Sequence, residues 1–197
     1  PDLEQVSIDE CFLDFTGIAH RYSSPEEGAA FIRASVKERF GFTVNVGISS
    51  SRVLAKMASD FEKPDKTHTL WPSQIPEKLW PLPIERLFMA GHSSASVLRK
   101  LEIRTIGDLA NSDPDLTTLH LKSHGRLLWE YANGLDETPV TSCPAKLKGV
   151  GNSVTLSSDV TDREEAGKIL RSLAEKVAGR LRADQKFASA VCVEIKY

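Results

Sequence analysis

An α+β architecture is what this sequence predicts, and three observations predict it. Strand-like and helical patterns alternate over residues 1–78, while residues 79–142 are cut by Pro and Gly into short helical pieces with no persuasive strand. Residues 143–197 then centre on one long amphipathic helix between two strand-like stretches.

The opening run Val6 to Thr16 is apolar and aromatic and ends at Gly17, which reads as a strand or tight hairpin interrupted by Asp9 and Glu10. Ser24 and Pro25 supply an N-cap and a first-turn proline, Glu26 and Glu27 suit a positive helix end, and Ile32, Val36 and Phe40 form an i, i+4 stripe up to Gly41. Phe42, Val44, Val46 and Ile48 alternate as a strand should. A serine cluster then leads into a helix from Ser51 to Phe61, and Thr67 to Trp71 can form one more strand. Short helices punctuated by Pro83, Gly91, Gly107 and Pro114 fill the middle, and a linker with Pro139, Cys143 and Pro144 follows. Beyond a strand-like Val150 to Leu156, Thr161 and Glu164 form a capping-box pair. Ala166, Leu170, Leu173, Val177 and Leu181 then mark one helix face, and Phe187, Ser189, Val191, Val193, Ile195 and Tyr197 share one side of a closing strand.

With 197 residues, 41% of them hydrophobic, the chain can bury a sizeable core in one to three compact units. No run of eighteen apolar residues and no secretory leader is present, so a soluble, cytoplasmic protein without a membrane partner is expected. Cys11, Cys143 and Cys192 lie far apart without a CxxC pair, which reads as reduced structural thiols. The five histidines show no metal-ligand spacing, and Trp71, Trp80 and Trp129 sit in apolar contexts that read as core. Net charge is −2, but it is unevenly spread: residues 143–197 carry 10 Lys and Arg against 7 Asp and Glu, so the potential that attracts a polyanion lies there. Opening at Pro1, with a chemistry-bearing motif a few residues later, the sequence is expected to be a piece of a longer protein.

Asp9 and Glu10 interrupt an apolar run, where each is costly to bury without a partner. A divalent cation is one such partner: Mg²⁺ prefers carboxylate, phosphate and water oxygens, and two such ions can clamp a phosphoryl transfer. Consecutive side chains on a strand point to opposite faces, so both reach one metal centre only at a strand end or turn. Two surface charges on an edge strand are the alternative. Farther along, Arg52 and Lys56 stand at i, i+4 with Lys63 beyond them, a grouping able to neutralise a triphosphate or simply to form a solvated basic face.

The stretch Val6-Ser7-Ile8-Asp9-Glu10-Cys11-Phe12-Leu13-Asp14 resembles the S-I-D-E-x-F-L-D signature of Y-family (translesion) DNA polymerases. The resemblance implies that Asp9 and Glu10 are palm-domain ligands of two Mg²⁺ ions, with a third carboxylate ligand outside this sequence. Val46-Gly47-Ile48 through Ala58-Ser59, with Lys63-Pro64, is similar to the family's second motif, which gives Lys63 contact with the incoming deoxynucleoside triphosphate. Ser51 and Arg52 stand where Asn and Lys are usual. Leu87 to His92 and Ile103 to Ala110 resemble the thumb's helix-hairpin-helix, implying phosphate contact at Gly91 and His92, although Met89 and Glu102 replace two of its glycines. Lys148 to Leu156 is similar to the start of the little finger, implying DNA contact by Lys148 and Thr155.

The family therefore implies a palm-type sheet layer over residues 1–78, a small all-helical thumb over 79–142, and a linker with the first half of a β-α-β little finger over 143–197. Expected partners are primer-template DNA and deoxynucleoside triphosphates, with a sliding clamp reached through a region absent from this chain. A bacterial cytoplasm or nucleoid is the expected setting. A non-catalytic DNA-binding or scaffolding module is the competing expectation, whereas a metal-dependent nuclease or phosphatase needs carboxylates or histidines that the sequence does not offer.

Overall fold

The computed structural model describes residues 2–142 and 149–196. Contacts group into two units, Pro1–Pro144 and Ala145–Tyr197.

The first unit opens with strands β1 (Asp2–Gln5) and β2 (Cys11–Asp14), paired antiparallel from Asp2 opposite Asp14 to Gln5 opposite Cys11. The predicted hairpin is present but begins four residues earlier than the apolar run, whose first half, Val6–Glu10, forms the connecting turn. The amides of Val6 and Ser7 both donate to the Glu10 carbonyl and close it (2.9 and 3.2 Å). Helix α1 (Pro25–Phe40) is bounded as its sequence signals require: the Ser24 hydroxyl accepts from the Glu27 amide, and Gly41 ends it at φ 75°. The expected stripe holds at Ile32 and Val36, which are half-buried, and fails at Phe40, which is 68% exposed; Gly28 and Ala29 are the buried residues. Gly28 lies one i, i+4 step before Ile32 and meets the rings of Phe15 and Tyr22, so the same side packs and is covered best at its N-terminal end.

Strand β3 (Val46–Ile48) pairs in parallel with β4 (Thr67–Thr69) across helix α2 (Arg52–Ser59). The crossover is tight: a Cβ on Gly47 would stand 1.9 Å from the Ala55 carbonyl oxygen. The strand expected from Phe42 is shorter by four residues, since only Val46–Ile48 finds a ladder partner.

Past a run of 3₁₀ and π turns from Pro72 to Leu79 and a 3₁₀ turn at Ile84–Arg86, helices α3 (His92–Lys100), α4 (Ile106–Ala110), α5 (Pro114–Leu121) and α6 (Ser123–Ala132) follow, as the punctuated sequence predicts. Helices α5 and α6 approach so closely that a Cβ on Gly125 would lie 2.1 Å from the Thr117 carbonyl oxygen. One apolar cluster, including Leu54, Leu70, Leu79, Ile84, Leu98, Ile106, Leu109 and Leu128, runs from α2 to α6 and therefore spans residues 78 and 79 within one core. Trp80 and Trp129 pack against it and satisfy their indole N–H groups on the carbonyls of Ala132 (3.1 Å) and Ser112 (3.0 Å), in keeping with the core reading.

The second unit is built on helix α7 (Arg163–Ala183). Its N-cap is Asp162, whose carboxylate accepts from the Glu165 amide at 2.8 Å, one residue beyond the expected Thr161 box; a carboxylate at the cap also favours the positive helix end. Of the expected apolar face, Ala166, Leu173, Val177 and Leu181 are half-buried and Leu170 is exposed. The flanking stretches Val150 to Leu156 and Phe187 to Ile195 carry no strand among the described residues, and Phe187, Val191, Val193 and Ile195 are exposed. Alternation alone makes no ladder; a strand needs a neighbour to accept its hydrogen bonds. No helix among the described residues is long and apolar enough to cross a membrane.

Candidate functional site

Asp9 and Glu10 sit at the exposed tip of the β1–β2 hairpin, the turn placement that lets adjacent side chains face one region. Ser7 Oγ donates to Asp9 Oδ1 at 2.7 Å, which fixes that carboxylate, and Ile8 beside it is 99% exposed.

Glu10 is joined to helix α2. Lys56 Nζ donates to Glu10 Oε1 at 2.5 Å and pairs with Asp60 Oδ2 at 3.0 Å, while Lys63 Nζ takes the other Asp60 oxygen, Oδ1, at 2.7 Å. The order Glu10, Lys56, Asp60, Lys63 is thus a continuous ladder of alternating charge that connects a candidate metal ligand with a candidate triphosphate contact. Burial would lower the Lys56 ammonium, but its hydrogen bonds to Glu10 and Asp60 outweigh that and hold it above its ordinary value. Burial likewise opposes ionisation of Asp60, and Lys63 and Lys56 overcome it and pull the carboxyl below the usual range. Both members stay charged at neutral pH.

Of the three expected triphosphate contacts, Lys63 alone projects well into solvent, at 60% side-chain exposure against 17% for Lys56 and 21% for Arg52. Arg52 pairs with Glu4 Oε1 at 2.8 Å and lies 4.7 Å over the Phe12 ring, so it fastens the hairpin to α2. Asp60 was not singled out in the sequence, yet it bridges the two lysines; the i, i+3 spacing to Lys63 and i, i+4 spacing to Lys56 are the signals that find it.

Among the described residues, no group of three or more His, Cys, Asp or Glu is placed to hold a metal ion. The donor set at the hairpin tip nevertheless fits a hard divalent cation, which takes one or two carboxylates and completes its shell with water and phosphate oxygens.

The loop that carries Lys63 is held at both ends. Asn45 Nδ2 donates to the carbonyls of Ser59 (3.1 Å) and Glu62 (2.9 Å), and its Oδ1 accepts from the Lys66 amide (3.0 Å). Arg33 pairs with Asp65 Oδ1 at 2.8 Å and also donates to the Asp65 carbonyl.

Gly91 is the N-cap of α3, with no side-chain cap and no acidic residue in the first turn, and both Gly91 and His92 are exposed. Such a helix end presents amides and a positive dipole to anions. Met89 and Glu102, which stand in place of glycines, adopt φ of 70° and 60°, so the left-handed backbone is kept without the residue that favours it. Removing the Cβ at Glu102 relieves roughly 1 kcal/mol of left-handed strain against the loss of an exposed ion pair with Arg104. Glu102→Gly is therefore expected to raise the melting temperature by a few degrees in a thermal scan; a lower value contradicts the strain assignment. Thr155 is exposed on a segment without regular secondary structure, and Lys148 lies outside the described residues.

Residues 1–60 match the family model described as impB/mucB/samB family, and residues 147–197 match that of the family's C-terminal domain. The chain is 45% identical over 196 residues to DNA polymerase IV of Clostridium acetobutylicum, covering 100% of this chain and 49% of that protein. It is 38% identical over 198 residues to DNA polymerase IV of Clostridium kluyveri, covering 100% and 50%. The chain thus spans about half the length of the curated relatives it matches. Among solved structures, it is similar to a chimeric Y-family DNA polymerase with a TM-score of 0.74 and 25% identity, over 90% of this chain and 52% of that one. It is also similar to DinB from Sulfolobus solfataricus, with a TM-score of 0.62 and 26% identity, over 71% and 41%.

Proposed function

The chain belongs to the impB/mucB/samB family, and on that premise we propose that the full-length protein is a Y-family DNA-directed DNA polymerase that adds deoxynucleotides to a primer 3′ end in translesion synthesis. The observation that carries this reading is the ladder from Glu10 through Lys56 and Asp60 to Lys63, which links one carboxylate of the hairpin tip to an exposed ammonium.

In this mechanism Asp9 and Glu10 hold the divalent ions, Mg²⁺ by donor chemistry, together with a ligand from the rest of the protein. When bound, such ions supply Lewis-acid stabilisation of the phosphoryl charge and activate the attacking hydroxyl. Lys63 binds the triphosphate of the incoming nucleotide as a mobile point charge. Lys56 acts through Glu10, keeping its carboxylate at the tip, and Arg52 acts through Glu4 in the same way on β1. Residues 1–78 form part of a catalytic palm, 79–142 a thumb, and 143–197 a linker and the first half of a little finger. Gly91 and His92 at the α3 terminus, with Lys148 and Thr155, contact the DNA backbone and position the duplex without reading sequence. A sliding clamp engages a region outside this chain, and the protein works in the bacterial cytoplasm, a reading supported by its similarity to bacterial DNA polymerase IV proteins.

Primer extension by the full-length protein with Mg²⁺ and all four deoxynucleotides tests this. Template-directed extension is expected, with Lys63→Ala raising the KM for nucleotide about tenfold, the effect of one charged hydrogen bond. An inactive full-length protein overturns the proposal, and an unchanged KM removes Lys63 from the site.

A further inference from the structure

We propose that Asn45 is a positioning residue for the triphosphate contact: through one side-chain amide it brackets the loop on which Lys63 stands. The inference rests on the reading of Lys63 given above and adds a residue that touches neither nucleotide nor metal.

The geometry is specific. Asn45 lies just before β3, and all three of its side-chain bonds go to main-chain atoms on either side of Lys63: the carbonyls of Ser59 and Glu62 before it and the amide of Lys66 after it. An amide is required for this pattern, because the same side chain must donate twice and accept once. A carboxylate would face two carbonyl oxygens, and a hydroxyl is too short to reach three partners. On the far side, Arg33 holds Asp65, which has φ 56°, and Asp60 pairs with Lys63 itself. The ammonium of Lys63 is therefore on a surface side chain that gains its precision from the backbone beneath it. Loop residues with such fixed ends lose less conformational freedom when an anion binds, which favours affinity.

Lys66 is paired only at long range with Glu62 (3.8 Å), and its own ammonium is half exposed. The bond from its backbone amide to Asn45 joins that from the Val46 amide to the Lys66 carbonyl (2.9 Å) in returning the chain to β4, whose first residue, Thr67, follows directly. Loss of Asn45 thus loosens the loop at its exit as well as its entry.

The test is a double-mutant cycle in the full-length protein, with Asn45→Ala, Lys63→Ala and both together. Two quantities are read for each: nucleotide KM and kcat in primer extension, and the dissociation constant of inorganic tripolyphosphate without metal. Asn45→Ala is expected to raise KM and the tripolyphosphate constant about fivefold, the effect of about 1 kcal/mol, with kcat little changed. In the Lys63→Ala background the further effect of Asn45→Ala is expected to vanish, since a positioning residue has nothing left to position. An equal effect of Asn45→Ala in both backgrounds overturns the proposal and leaves a purely structural side chain. If Lys63→Ala moves neither quantity, the reading of Lys63 fails first and this inference with it. Asn45→Asp, which retains size and the acceptor, covers the case in which the alanine variant unfolds; it is expected to reproduce the fivefold effect, and wild-type affinity in it also overturns the proposal.

Discussion

Glu10→Gln in the full-length protein is expected to reduce primer extension by about a thousandfold or more while leaving DNA binding and its salt dependence in place. The substitution keeps shape and removes charge from a carboxylate that has two duties. It is a proposed ligand at the hairpin tip, and it is the partner of Lys56 at 2.5 Å. With Gln at position 10, Lys56 retains Asp60 at 3.0 Å and Arg52 still fastens the hairpin to helix α2 through Glu4 at 2.8 Å, so the fold survives. The proposed DNA contacts lie elsewhere, at the α3 terminus and in the second unit, so a filter or anisotropy titration across salt concentrations is expected to match the wild type. Extension within about tenfold of wild type removes Glu10 from the reaction. Loss of DNA binding alongside activity shows instead that the hairpin has collapsed.

The second large effect is on stability. Gly47→Ala is expected to destabilise the chain by about 3 kcal/mol or more, to the point of poor folding. The new Cβ would meet the carbonyl oxygen of Ala55 at 1.9 Å and the amide nitrogen of Ser59 at 2.5 Å, and both are main-chain atoms of α2 that no rotamer change can move. Helix α2 must then shift away from β3. It carries Lys56, and its Ser59 carbonyl is one end of the Asn45 bracket, so the same displacement also disturbs the site. Gly17→Ala is the control, since a Cβ there meets nothing within 4 Å. Thermal melts of the two variants distinguish the cases, and a Gly47→Ala melt close to wild type contradicts the tight crossover.

Much of the helical layout is legible from local chemistry. Ser24, Pro25 and Gly41 bound α1 because caps and stops act within a few residues, and Ser51 starts α2 for the same reason. Errors appear where the deciding partner is distant. The stripe through Phe40 looks like a buried face along its whole length, but the rings of Phe15 and Tyr22 cover it at Gly28, one turn before Ile32, and Phe40 is left exposed. The alternation from Phe187 onward is strand-like, yet a ladder is a property of two segments.

The sequence by itself determined the family through its ordered motifs and the α+β class, while it left Asp9 and Glu10 open between a turn and an edge strand. Only the tertiary structure decided how the three basic residues divide. Arg52 turns to Glu4, Lys56 joins Glu10 to Asp60, and Asn45 holds the loop of Lys63 from 14 to 21 residues away. Spacing along a helix fixes which side chains share a face, but a charge is committed by the opposite charge that folding brings within about 4 Å of it.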